Sequence, residues 1–170
     1  MLTEMVKALY DYDRWANRRL FDAVAGLPPG TADRELGPQF SVPTLKGMLA
    51  HILGAEAIWL ARWKGSSPAA ILSAKDFPDL AALGARWNQV EAELAEFVAG
   101  LSEVHLARVV RYTNIQGQSF SLLLWPLMQH VANHSTHHRS EVATMLTMLE
   151  VAPPPTDLVI YHLVRSGQMS

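Results

Sequence analysis

The chain has 170 residues, room for one domain with a real core and too few for two. Its formal charge of −2 argues against a nucleic-acid partner, and the absence of cysteine excludes disulfides, thiolate metal sites and a cysteine nucleophile. Half the residues are apolar, yet no apolar run nears the ~20 residues of a membrane span and no export signal opens the chain, so a globular cytoplasmic protein with no membrane partner is expected.

The pattern is mostly helical. Over residues 2–25, Leu2, Met5, Val6, Leu9, Tyr12, Ala16, Leu20 and Val24 recur mostly at steps of three and four, one apolar stripe on a first helix. "LPPG" at 27–30 ends it, because proline cannot continue the backbone ladder. A loop leads to Ser41, the expected N-cap of a second helix over 42–64, with Pro43 in its first turn. Leu45, Met48, Leu49, Ile52, Trp59, Leu60 and Trp63 form that helix's apolar face, and Gly65 stops it. A third helix begins near "DFPD" at 76–79 and carries Leu80, Leu83, Trp87, Val90, Leu94, Phe97 and Leu101.

Residues 108–121, "RVVRYTNIQGQSFS", break the helical period. Val110, Tyr112 and Thr113 favour strands and "NIQG" is a turn, so a short β-hairpin is expected. A fourth long helix follows from about Trp125 to Glu150, and "APPPTD" closes it before a short helix over 157–165. The expected fold is all-α: a single domain over 1–170, an antiparallel four-helix bundle with a hairpin before the last long helix and a short C-terminal helix.

The fourth long helix contains "HVANHSTHHRSE", with His130, His134, His137 and His138. Its inward stripe runs 127, 131, 134, 138, 142, 145, 149, so His134 and His138 stand where leucine is expected. A histidine placed there costs free energy unless its nitrogens find partners. Two of them at i and i+4 can reach one ion. His130 lies on the same side, but it is eight residues, about 12 Å, from His138. The pair is therefore 130/134 or 134/138, and the stripe favours the second. His137 sits on the flank, a surface residue or one that supports a ligand from behind. A third ligand would come from a facing helix. His51 is the only histidine on the second helix; His105 lies in an expected loop and His162 near the C-terminus, so His51 is chosen by elimination.

Glu56 also replaces an apolar residue in an inward stripe, 45, 49, 52, 56, 59, 63. It points away from His51 by about 140° around the helix. It reads either as an acceptor or general base beside the metal, or as a structural carboxylate paired with a polar group on a neighbouring helix. Trp59, Trp63, Trp87 and Trp125 read as core or bundle-end packing. Tyr10, Asp13 and Asn17 form a polar stripe on the first helix, facing either the pocket or solvent.

"YDYDRWANRRLFDAVAGLP", "LAHILGAEAIWLARWKG", "VRYTNIQGQSFS" and "LLWPLMQHVANHSTHHRSEV" together resemble the DinB-like (DinB/YfiT) family over nearly the whole chain. The resemblance implies a four-helix bundle whose metal is held by one histidine of the second helix and an HxxxH pair of the later one. Those positions here are His51, His134 and His138. One departure is visible: Ser140-Glu141 stands where the family commonly has Gly-Gln after "HHR". The resemblance also implies a homodimer, and tilts the metal toward zinc or nickel.

Three neutral imidazoles leave a divalent ion with an open position, the arrangement of catalytic sites more than structural ones. Such an ion acidifies bound water or thiol. Some DinB-like relatives are metal-dependent transferases using bacillithiol or mycothiol, so the resemblance implies a low-molecular-weight thiol acting on a small electrophile. A metal-dependent hydrolase, with Glu56 or Asp13 as base, and a non-catalytic metal-binding stress protein are the alternatives.

Overall fold

The structure is a computed structural model that describes residues 1–169. Six helices and one hairpin follow in order: α1 (Leu2–Ala25), α2 (Leu45–Trp63), α3 (Leu80–Ala99), α4 (Glu103–Leu106), β1 (Val109–Thr113), β2 (Ser119–Leu123), α5 (Leu124–Met148) and α6 (Leu158–Arg165). α1, α2, α3 and α5 form the expected four-helix bundle. The hairpin is antiparallel, with Val109 opposite Leu123 and Thr113 opposite Ser119, and Gly117 takes the left-handed conformation its turn requires. Among the described residues no helix is long and apolar enough to cross a membrane.

The helix ends follow local chemistry. α2 starts later than expected, at Leu45, because Thr44 is its cap: the Thr44 hydroxyl accepts the Gly47 amide at 3.0 Å. Ser41, the expected cap, instead gives its backbone N–H to Glu141 at 2.7 Å, which ties the loop before α2 to α5. Asp79 caps α3 by accepting the Ala82 amide at 2.8 Å. His105, placed in a loop by its sequence, lies in the one-turn α4 capped by Ser102.

The connectivity is not the simplest one for a bundle. α5 packs against α1 and α2, and α3 packs against the same two helices from the other side. α1 and α2 therefore sit diagonally. Contacts fix the directions. Tyr10 meets Met128 while Asn17 meets Arg139, so α1 and α5 run parallel. Trp59 meets His130 while His51 meets His138, so α2 and α5 run antiparallel. The long stretches 26–44 and 64–79 permit this: the first crosses the bundle's end, while the second runs back along its length, since Trp63 and Lys64 meet Phe97 and Glu93 and α2 and α3 are therefore parallel.

Two apolar clusters fill the bundle. One gathers Leu20, Val24, Leu45, Met48, Leu49, Ile52, Leu83, Trp87, Val142 and Met145. The other gathers Val6, Leu60, Trp63, Leu94, Leu106, Leu127, Met128 and Val131 at the opposite end. Between them lies a belt of polar residues on the middle turns of α1, α2 and α5. Gly54, in that belt, admits the carbonyl of Leu72 so closely that a Cβ would sit 2.4 Å from it. The tryptophans divide. Trp63 and Trp87 are core as expected, but Trp59 is half-buried against the hairpin and Trp125 keeps 37% of its surface exposed at the start of α5. Met5, expected in the α1 stripe, is exposed as well.

Candidate functional site

Because α2 and α5 run antiparallel side by side, His51 on one meets His134 and His138 on the other. The Nε2 atoms of His51 and His138 are 3.2 Å apart, and those of His138 and His134 are 3.1 Å apart. One ring nitrogen from each of the three lies within 4.8 Å of the others. An ion with metal–nitrogen bonds of about 2.0–2.1 Å and tetrahedral angles holds neighbouring nitrogens about 3.4 Å apart. The spacing therefore fits a first-row divalent ion.

The hydrogen-bond chemistry of the cluster points the same way. His138 Nδ1 lies 2.6 Å from Glu141 Oε2. A carboxylate only accepts, so Nδ1 carries the hydrogen and Nε2 presents a lone pair. His51 and His134 both turn Nε2 toward that one lone pair, which can accept from only one of them. His134 Nδ1 is buried without a partner. The three rings thus do not satisfy one another, whereas a cation among the three nitrogens uses all three lone pairs. Burial, reinforced by the neighbouring rings, lowers the pKa of His134 to about 4 and also lowers that of His51. Both are held in the neutral form that a metal requires.

Glu141, visible in the sequence only as a departure from the family pattern, has a definite place in the site. Its Oε1 accepts the Ser41 amide and its Oε2 accepts from His138. Burial pushes its carboxyl pKa up, but these two donors hold it below the usual range. A carboxylate behind a histidine fixes the tautomer and aims the ring. The signal was present as the i, i+3 spacing from His138. His137 is exposed and lies in a second close group with His138 and Glu141. His130 is exposed too; its ring stands 6.1 Å from that of His134 and 5.4 Å from that of Trp59, on the rim. Trp59 in turn packs edge-on against Tyr112 of β1 at 5.0 Å.

Glu56 and Asp13 lie elsewhere in the polar belt. Neither is hydrogen-bonded to a histidine. Glu56 accepts from Asn17 Nδ2 at 2.7 Å, so it touches a polar group of a neighbouring helix, as one of the two sequence readings has it. Arg139 donates to Asp13 in a buried ion pair, to Asn17 Oδ1 at 2.8 Å and to Thr136 Oγ1 at 2.8 Å. All of the Tyr10, Asp13 and Asn17 stripe is buried, facing inward and not toward solvent; Tyr10 gives its hydroxyl to the Met128 carbonyl at 2.9 Å. Burial raises the pKa of both carboxyls, and each is further affected by the other. Arg139 acts directly on Asp13 and opposes the rise there most, so the rise is the larger for Glu56. Arg139 was not foreseen, although the second stripe 132, 135, 139, 142, 146 on α5 would have shown it inward beside Ser135 and Val142.

Comparison with known proteins agrees with this architecture. Protein DinB of Bacillus subtilis (strain 168) is 26% identical over 174 residues, covering 94% of this chain and 95% of that protein. The structure of YfiT from Bacillus subtilis, described as a probable metal-dependent hydrolase with an unusual four-helix bundle topology, superposes with a TM-score of 0.68 over 88% of this chain and 90% of that one. At 12% identity that likeness speaks for the fold alone. The chain matches the model of the DinB family across residues 1–168, and with a match of that extent it belongs to the DinB family.

Proposed function

We propose that this protein is a metal-dependent enzyme in which His51, His134 and His138 hold a divalent transition metal, zinc or nickel, and that it transfers a low-molecular-weight thiol to a small electrophile. The observation that carries the reading is the convergence of the His51, His138 and His134 Nε2 atoms, with that of His138 3.2 Å and 3.1 Å from the other two and Glu141 fixing the His138 ring. Three imidazoles suit either ion. When bound, such an ion lowers the pKa of a thiol or water that reaches its open position.

The protein's own groups favour the thiol. Hydrolysis is helped by a carboxylate free to take a proton from water. Here Glu141 has both oxygens engaged, and Glu56 and Asp13 are committed to the Asn17–Arg139 cluster. A thiol asks less of its surroundings. Its S–H proton passes to solvent, its sulfur forms a bond to the electrophilic carbon, and the leaving group departs with its electron pair. The exposed His130 and the Trp59 ring form a rim against which the electrophile can pack.

A second reading, metal-dependent hydrolysis, is supported by the description of the YfiT structure. The test begins with metal content of the untagged protein beside the His134→Ala, His138→Ala double variant. Near one equivalent in the first and little in the second is expected. The loaded protein is then given bacterial thiols with a haloarene, and separately esters and amides without thiol. Metal-dependent thiol consumption supports transfer. Ester or amide cleavage without thiol replaces it with the second reading, and no metal uptake at near-neutral pH removes both.

A further inference from the structure

Arg62, on the last turn of α2, is 6% exposed, and its side chain forms no hydrogen bond or salt bridge among the described residues. Its Nε is enclosed without an acceptor. The guanidinium lies over two rings, 4.6 Å from the Trp59 centroid and 5.0 Å from the Tyr112 centroid. The ring faces compensate part of the charge, but they offer no lone pair to its N–H groups. A buried cation in this state is unlike Arg139, which is 3% exposed and has an aspartate, an asparagine and a threonine around it. A largely buried guanidinium whose N–H groups have no protein acceptor is a receptor for an oxyanion, and its planar fork matches a carboxylate.

The position links this arginine to the histidines. Trp59 touches both Arg62 and His130, and His130 neighbours His134. A continuous wall therefore runs from the histidine cluster to the guanidinium. Along the α2 axis Arg62 is about 16 Å from His51, and its side chain leans back over Trp59 toward the cluster.

We infer that Arg62, seated between Trp59 and Tyr112, is the anchor for a carboxylate of the molecule that occupies the histidine site, and that this substrate therefore carries its carboxylate far from its reacting atom. The inference rests on the proposed function for the identity of that site, but the anchor itself is testable without metal.

The experiment titrates metal-free protein with sodium succinate at constant ionic strength and follows the arginine side-chain N–H signals by NMR, with succinamide as the uncharged control. The Arg62 signal is identified by its absence from Arg62→Gln. A saturable shift of that signal with succinate, and none with succinamide, is expected. By calorimetry, Arg62→Gln is expected to bind succinate about 10- to 100-fold more weakly. An unmoved Arg62 signal in the unaltered protein overturns the inference, and so does undiminished succinate binding by Arg62→Gln. The NMR arm needs no stable variant beyond the assignment, and Arg62→Lys supplies it if Arg62→Gln does not fold. The source of the carboxylate is read with zinc-loaded protein. Glutathione binding more weakly to Arg62→Gln than to the unaltered protein places it on the thiol; equal binding places it on the other substrate. Succinate binding with no metal uptake keeps the anchor while removing the proposed function, and metal uptake without succinate binding does the reverse.

Discussion

Two polar groups interrupt the apolar interior of this bundle, and they end differently. Asp13, Asn17, Glu56 and Arg139 face one another, and the donors of Asn17 and Arg139 meet acceptors within the group. His51, His134 and His138 also face one another, yet two Nε2 atoms converge on a third that can accept from only one of them, and His134 Nδ1 is left unmatched. The first group is complete from the chain alone. The second is left incomplete by the chain, in the spacing that fits a divalent cation. A polar residue in an inward stripe therefore signals that a partner exists, and only its surroundings say whether that partner is protein or ligand.

The largest effect expected from breaking this contrast is at the histidines. His51→Ala should reduce bound zinc or nickel from near one equivalent to near none while the fold, read by circular dichroism, survives. Full occupancy in that variant would mean His51 is not a ligand. In the other group, Asp13→Ala strands the Arg139 charge, and urea unfolding should show a loss of about 3–5 kcal/mol. Metal stoichiometry should stay unchanged in the folded variant. A loss below about 1 kcal/mol would show that solvent, and not Asp13, compensates Arg139.

A smaller effect joins the two tests. Glu141→Gln still reaches His138 but no longer orients it as an anion, so metal affinity should fall about 10- to 100-fold with stoichiometry intact. An affinity equal to that of the unaltered protein would make Glu141 a tie for Ser41 and nothing more.

The smallest expected effect is in pH dependence. Burial, and then Asp13, raise the Glu56 pKa well above its ordinary 4.5, and Arg139 opposes them only in part. Between the unfolded and folded values the native state holds a proton that the unfolded chain has released. Stability from this group is thus complete below about pH 4.5 and declines as pH rises through the folded value. Glu56→Gln is neutral throughout, so its stability should fall less than that of the unaltered protein on going from pH 5 to 8. Parallel curves would place the proton elsewhere.

The sequence carried the helices and the histidine pair for a local reason. Periods of three and four report which face of a helix is inward whatever it packs against, so Leu127, Val131, His134 and His138 were legible as one stripe, and Pro28, Pro29 and Gly65 as stops. His51 was reached by elimination and by family resemblance, because a ligand on another helix leaves no mark in the spacing. The path of the chain was decided by tertiary structure. Neither the diagonal placement of α1 and α2 nor the parallel run of α1 and α5 can be read from periodicity, which is blind to direction. Partner choice was decided there as well. Glu56 and His134 look alike in sequence, each a polar residue at an apolar position. Asn17 and Arg139 close around the first, while only imidazole nitrogens face the second, and that is settled by which helices lie side by side.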